Sequence, residues 1–467
     1  MESQNRDNSL SRDMGALGAI ATVVAGTLGA GLFVTIGTAS STTGPSIILV
    51  VILTGIVAMA IATNYSWIAT IFPGAGGAYT YISRSFGARL PGFVVTWTKW
   101  LGYMAADAVL AIGFGSYLKV FFPGIDPAIA GFALLTVLFL VNLVGTKGYS
   151  WSQNIIFGLL MVSILVLVVP GAFYIRPAHY QPFFTGGASG FFAAAVPLFY
   201  AYIGIAVAAQ MGAEVRNPGR NLPLAMAGGT ALLIFIYVLT AVVIYGIVDD
   251  YTVLADSERP LATAADAFLG EYATAIVAIG GLLATASSVH AVMAAAIKMP
   301  YSWSWDGIFP RSFSAVSRRF RTPHWSLLML YVVASALTFW SDGLDKALSI
   351  ATFSYLIAYL TVSITVGYVY LKRPDLAAQA AFRPGAWFYI PLFVAIVGSF
   401  ALLTQAANWS ALFAGDFGAL TTLGIYIPWL AVGLVIFAIY ARRERQQGTD
   451  VHAILQTVPG VAGVRGE

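Results

Sequence analysis

The sequence predicts an all-α membrane protein with about twelve transmembrane helices. Three observations carry that expectation: a chain too apolar to face water, apolar segments of membrane-crossing length along its whole extent, and basic residues concentrated in alternate connections. Of the 467 residues, 59% are hydrophobic and 9% are charged, against about 25% charged in soluble domains. Lipid must replace water as the solvent for much of such a chain. The 14% aromatic content suits belts of Trp and Tyr at the two membrane interfaces.

Crossing the bilayer takes roughly 20 apolar residues at about 1.5 Å each. Segments that meet this fall at 16–39, 45–70, 91–121, 127–146, 153–175, 188–211, 224–248, 271–299, 325–341, 346–371, 387–407 and 418–440, numbered here one to twelve. Strands of a β-barrel would alternate over about ten residues, and that pattern is absent. With the N-terminus placed inside, 19 of the 24 Lys and Arg fall in inner connections and tails, four (Lys119, Arg176, Arg259, Lys346) fall outside, and Lys99 lies within segment three. Such asymmetry sets orientation, with both termini cytoplasmic. Residues 1–14 read as a cytoplasmic tail without the apolar core and cleavage site of a signal peptide. Residues 441–467 read as a second cytoplasmic tail without clear pattern, and the acidic outer stretch 249–271 carries a short surface helix at 260–269.

The absence of cysteine excludes disulfides, thiolate metal sites and cysteine nucleophiles. His179, His290, His324 and His452 stand too far apart for metal-ligand spacing, so no metal centre is expected. A net charge of +4 spread over short connections is no nucleic-acid footprint. No cluster of catalytic side chains argues for an enzyme, and no soluble signalling domain for a receptor.

Segment one contains Gly26-Thr27-Leu28-Gly29-Ala30-Gly31-Leu32-Phe33. Each glycine weakens a helix by about 1 kcal/mol relative to Ala. An unwound stretch in lipid is tolerated only where it lines a cavity, and the N–H groups it frees attract a carboxylate. The alternative is close helix packing, for which small residues four apart are equally suited. Segment six contains Tyr200-Ala201-Tyr202-Ile203-Gly204, followed by small residues. Interruptions at corresponding places in two halves of a chain point to a transport site, and segments one and six correspond in a five-plus-five inverted repeat. Both are therefore expected to be discontinuous, near Gly29 and Gly204.

Four stretches carry a family resemblance: Gly29-Ala30-Gly31-Leu32-Phe33, Pro73-Gly74-Ala75-Gly76-Gly77-Ala78-Tyr79, Glu214-Val215-Arg216-Asn217-Pro218-Gly219-Arg220-Asn221-Leu222-Pro223, and Asp306-Gly307-Ile308-Phe309-Pro310. With them the chain resembles the amino acid–polyamine–organocation transporters over nearly all of residues 15–440. The resemblance implies the leucine-transporter type of fold. Its first repeat would be 15–176 (helices one to five) and its second 188–371 (helices six to ten), with two extra helices at 387–440. It also implies that N–H groups of Gly29, Ala30 and Gly31 take a substrate carboxylate. Carbonyls of Thr27, Tyr200, Ala201 and Ile203 would take its ammonium, beside Leu28 and Gly204. Two departures stand out. Leu160 occupies the register of a segment-five lysine present in many relatives, and Ile205-Ala206 follow Gly204 where many carry an acid. A lysine-based coupling and a fixed pocket acid are therefore not expected.

Ionisable groups within membrane segments are costly and point to function. Asp107 in segment three is a candidate for proton coupling, or for pairing with a substrate amine. Lys99, eight residues earlier, is expected to snorkel or pair. In segment eight, Ser287 and Ser288 offer the oxygen ligands a sodium ion wants, and His290 is a second proton candidate. No cofactor is expected beyond a coupling sodium ion or proton. The resulting expectation is a plasma-membrane transporter of neutral amino acids working by alternating access, as symporter or exchanger. The alternatives are an amine or polyamine permease, with Asp107 as counter-charge, and an exchanger without ion coupling. The partners are a small amino acid and the lipid bilayer, and nothing in the sequence specifies an oligomer.

Overall fold

The computed structural model describes residues 12–143, 147–257, 259–317, 322–340, 343–407, 421–448 and 450–459. The tail residues 1–11 and 460–467, the segment ends 144–146, 341 and 418–420, and residue 258 of the acidic stretch lie outside the described residues. Among the described residues the architecture is all-helical, at 81% helix without strands. This is what a bilayer imposes, since helices satisfy every backbone group internally. Among the described residues nine helices are long and apolar enough to cross a membrane, and the shorter apolar helices are Ala16–Gly29, Pro127–Leu143 and His324–Thr338.

A helix occupies each apolar segment. Segment two is Ile47–Ile71, three is Arg89–Leu118, four is Pro127–Leu143 and five is Lys147–Gly171. Segment seven is Gly229–Ile247, eight is Glu271–Ala296 continued by Lys298–Trp305, nine is His324–Thr338 and ten is Gly343–Lys372. Eleven is Tyr389–Ala406 and twelve Thr421–Gln446. Segment three forms the centre, with 83% of its apolar window buried. Only 28% and 11% of the windows of segments eleven and twelve are buried, so these two stand at the periphery with Phe393, Ile427 and Val435 turned outward.

Segment one departs from expectation. It runs as α-helix through Ala16–Ala30, widens to a π-helix at Gly31–Thr35, and resumes at Ile36–Thr43. The backbone therefore stays helical through Gly29, and the irregularity begins at Gly31. The Gly31 N–H still donates to the carbonyls of Leu28 and Thr27, and the Thr35 hydroxyl donates to the Gly31 carbonyl at 2.7 Å. A π turn absorbs the extra residue without stranding backbone groups. Segment six does break: helix Ala195–Tyr200 ends, Ala201 and Tyr202 form a turn, and a 3-10 turn at Ile203–Ala206 leads into helix Val207–Gln210.

Two further elements differ from the sequence reading. A short amphipathic helix, Ala78–Phe86, follows the loop 73–77, where Gly76 and Gly77 adopt φ of 88° and 43°. The helix expected at 260–269 forms at Pro260–Asp266, but Leu261, Ala262, Ala264 and Ala265 are buried rather than on the surface. Residues 14 and 459 dock on one and the same face. Met14 exchanges backbone hydrogen bonds with Glu214 (3.0 Å) and Arg216 (2.8 Å), and Pro459 accepts from Ala75, itself bridged to Met211.

Candidate functional site

Segments one and six cross where both are irregular, and glycine makes the crossing tight. A Cβ on Gly204 would collide with Thr27 Oγ1 and lie 3.0 Å from the Gly26 carbonyl oxygen. A Cβ on Gly31 would lie 2.5 Å from both Ala201 Cβ and the Tyr237 hydroxyl. Gly26 and Gly29 face segment eight instead. A Cβ on Gly26 would come 2.8 Å from Ala291 Cβ, and one on Gly29 would strike the Ala284 carbonyl. The packing alternative thus holds at Gly26 and Gly29, while Gly31 and Gly204 shape the crossing.

Tyrosine hydroxyls already engage most of the carbonyls assigned to an ammonium. Tyr237 Oη sits 3.1 Å from the Thr27 oxygen and 2.9 Å from the Ala201 oxygen, donating across the two segments. Tyr359 of segment ten donates to Ile203. Tyr117 of segment three donates to Phe33 at 3.0 Å, one turn beyond Gly29. Thr27, Leu28, Tyr200, Ala201, Ile203 and Gly204 are all buried here, and Ala30 precedes the π turn. The crossing encloses a cavity of about 10 Å³ lined by Gly31, Ile36, Val51, Leu198, Ala201, Tyr202 and Tyr237. That is space for one water at most, so nothing larger fits while segments one and six stay in contact.

The two serines of segment eight have different partners. Ser288 Oγ donates to the Ala25 carbonyl at 3.0 Å and accepts from the Gly29 N–H at 3.2 Å, which splices it into the helical ladder of segment one. Ser287 instead accepts from Gln153 Nε2 of segment five at 2.8 Å. Only Ser288 therefore shares oxygen ligands with segment one. Thr285 bonds back to the Gly281 carbonyl at 2.8 Å. His290 is buried two residues beyond Ser288. Among the described residues no group of three or more His, Cys, Asp or Glu could hold a metal ion.

Asp107 is fully buried, and neither carboxylate oxygen has a hydrogen-bond partner among the described residues. Tyr103, Tyr200 and Tyr355 lie within its electrostatic reach; Tyr103 and Tyr355 meet each other edge-on, ring centroids 5.1 Å apart, and the Tyr200 hydroxyl has no hydrogen-bond partner among the described residues. Lys99 does not snorkel. Its ammonium is buried between the rings of Tyr65, Tyr103, Tyr355 and Tyr359, at 5.3–5.7 Å from their centroids, with no hydrogen-bond acceptor among the described residues. Lys99, Tyr103 and Asp107 follow at four-residue intervals, one stripe of segment three.

Tyr79, Glu214 and Asp306 of the motifs, with Arg84, Arg89 and Lys298, form a polar lock on the face that receives residues 14 and 459. Arg84 pairs with Asp306 through both terminal guanidinium nitrogens, Nη2 at 2.8 Å. The Tyr79 hydroxyl donates to the same carboxylate at 2.5 Å, and Arg89 donates to the Asp306 carbonyl at 2.6 Å. Lys298 pairs with Glu214 at 2.8 Å, both buried. Sequence reasoning missed the tyrosine caps, Gln153 and the lysine cage. Their only signal was an excess of Tyr within apolar segments, which interface belts also explain.

A family model described as amino acid permease matches residues 14–437. Similar proteins include a branched-chain amino acid permease of Bacillus subtilis, 24% identical over 460 residues, covering 94% of this chain and 95% of the relative. A methylthioribose transporter of the same organism is 25% identical over 470 residues, covering 95% and 96%. A vacuolar cationic amino acid transporter of Arabidopsis thaliana is 28% identical over 399 residues, covering 79% and 65%.

Proposed function

The chain belongs to the amino acid permease family, and from that premise we propose that it carries neutral amino acids across the plasma membrane by alternating access at the crossing of segments one and six. On this reading twelve helices cross the membrane. Residues 15–176 and 188–371 are inverted repeats, 387–440 are two added helices, and both tails, 1–14 and 441–467, are cytoplasmic. The lock of Arg84, Asp306, Glu214 and Lys298 then closes the cytoplasmic mouth.

The observation that carries the proposal is the Tyr237 hydroxyl lying between the carbonyls of Thr27 and Ala201. Two segments that must separate to admit a ligand present paired acceptors to one donor, and an ammonium has three donors to offer. The substrate ammonium takes these carbonyls, with those of Tyr200 and Ile203, when the hydroxyls let go. The carboxylate meets the N–H groups of Gly29, Ala30 and Gly31 once the π turn opens and Ser288 releases Gly29. Leu28 and Gly204 wall the site. A neutral side chain is favoured because every residue lining the crossing is uncharged. The branched-chain permease among the relatives agrees with this, and the cationic transporter does not.

A second reading rests on Asp107. Its unpartnered carboxylate beside three tyrosines suits the distal amine of a diamine or polyamine. For coupling, Ser288 with the Ala25 carbonyl supplies oxygen ligands for sodium, whereas Asp107 or His290 would carry protons. Exchange without a coupling ion is the remaining mode. Counterflow in proteoliposomes, using labelled alanine, leucine, arginine and putrescine with and without sodium and pH gradients, tests all of this. Alanine and leucine should exceed arginine and putrescine, and the reverse order would establish the amine reading instead.

A further inference from the structure

We propose that residues 450–459 are a latch that docks on loop 73–77 and Arg84, on the face bearing the polar lock, and holds that mouth shut. The inference rests on the transporter reading only in treating this face as a mouth.

The segment beyond helix twelve has structure of its own. Asp450 caps helix Val451–Leu455, its carboxylate accepting from the N–H groups of His452 (2.9 Å) and Ala453 (3.2 Å). The residues that follow lie against loop 73–77 and helix Ala78–Phe86. There the Thr457 carbonyl accepts from Arg84 Nε at 3.1 Å, and the Pro459 carbonyl accepts from the Ala75 N–H at 2.8 Å. Val458 sits between them against Gly74, and Pro459 is buried.

The partners give the contact its meaning. Arg84 is the cation of the buried pair with Asp306 at the end of segment eight. Ala75 is bridged to Met211 at the end of segment six, and it packs with Ala213 and with Tyr301 of segment eight. One short stretch of backbone thus grips the loop and the guanidinium that tie segments six and eight together. His452, Ala453 and Thr457 remain exposed, so the segment can leave without disturbing an apolar core. Two hydrogen bonds, one of them from a guanidinium, favour the closed mouth by roughly ten-fold when the segment is docked.

Gly74 provides a clean test. The three nearest atoms that a Cβ there would meet all belong to residues 458 and 459. Gly74→Ala should therefore evict the segment and touch little else. The chain has no cysteine, so a single Ala213→Cys, buried beside Ala75, reports opening by its rate of maleimide labelling in purified protein. Labelling should rise roughly ten-fold on deletion of residues 450–467, and similarly with Gly74→Ala or Val458→Asp. Gly74→Ala should add nothing further once the segment is deleted. Labelling unchanged by the deletion overturns the latch, as does an equal effect of Gly74→Ala with and without the segment. Labelling needs no substrate, so a chain that labels faster yet moves no amino acid keeps the latch and loses the transport reading.

Discussion

Tyr237→Phe removes one hydroxyl, keeps the ring and creates no cavity, so it isolates the tie between segments one and six. The hydroxyl lies 3.1 Å from the Thr27 oxygen and 2.9 Å from the Ala201 oxygen in a buried setting. Losing it forfeits a net hydrogen bond of about 0.5–1.5 kcal/mol, and a carbonyl left without a partner raises the cost to about 1–3 kcal/mol. This cost falls only on the conformation in which the two segments touch, because separated segments expose the same carbonyls to water or ligand. The equilibrium therefore shifts toward separation by about 5- to 150-fold. If the substrate ammonium takes the carbonyls now held by Tyr237, the binding-competent form becomes more populated and apparent affinity rises by the same factor, up to the point where that form dominates. Equilibrium binding of labelled leucine to purified protein should show a dissociation constant at least about five-fold lower than in the unmodified chain. An unchanged constant would separate the tie from ligand entry. A higher one would make the hydroxyl a direct substrate contact, and either result refutes the displacement argument.

Asp306→Asn leaves the buried Arg84 guanidinium without its carboxylate. It should cost about 3–5 kcal/mol, seen as a lower thermal midpoint in detergent, and an unchanged midpoint would remove the pair from the lock. Asp107→Asn should abolish stimulation of uptake by an imposed pH gradient while sparing counterflow exchange, and full retention of the pH dependence would exclude Asp107 from coupling. Ser288→Ala removes the contacts to the Gly29 N–H and the Ala25 carbonyl, which are one turn apart in the helix Ala16–Ala30 and so keep each other as partners. Its thermal midpoint should change little, and loss of sodium-stimulated uptake in this variant would identify a cation site there.

Composition and segment spacing made the helical architecture legible, because lipid leaves a backbone few choices and the apolar runs are long. The break in segment six was readable at Tyr200–Gly204. The π turn at Gly31 was not, since a glycine triplet marks either unwinding or close packing, and the neighbours decide. Gly29 faces the Ala284 carbonyl while Gly31 faces Ala201, a distinction that depends on segments eight and six rather than on local sequence. Lys99 illustrates the same limit. A lysine eight residues from an aspartate suggests snorkelling, yet the tyrosines that enclose it come from segments two, three and ten. The helix Ala78–Phe86 escaped because it is short and, with Tyr, Ser, Thr and Arg, far less apolar than the membrane segments. The docking of residues 457–459 had no local signal, since backbone carbonyls make its hydrogen bonds and any residue has those.

The most direct test of the site is uptake by Gly31→Leu. A side chain at Gly31 would overlap Ala201 and the Tyr237 hydroxyl, each 2.5 Å from its first carbon, and would block approach of a carboxylate to the N–H groups of segment one. The account predicts that the unmodified chain takes up leucine and alanine in proteoliposomes, and that Gly31→Leu, folded by size-exclusion and thermal criteria, neither binds nor transports them. Normal binding and transport by Gly31→Leu would contradict the placement of the substrate at the crossing of segments one and six.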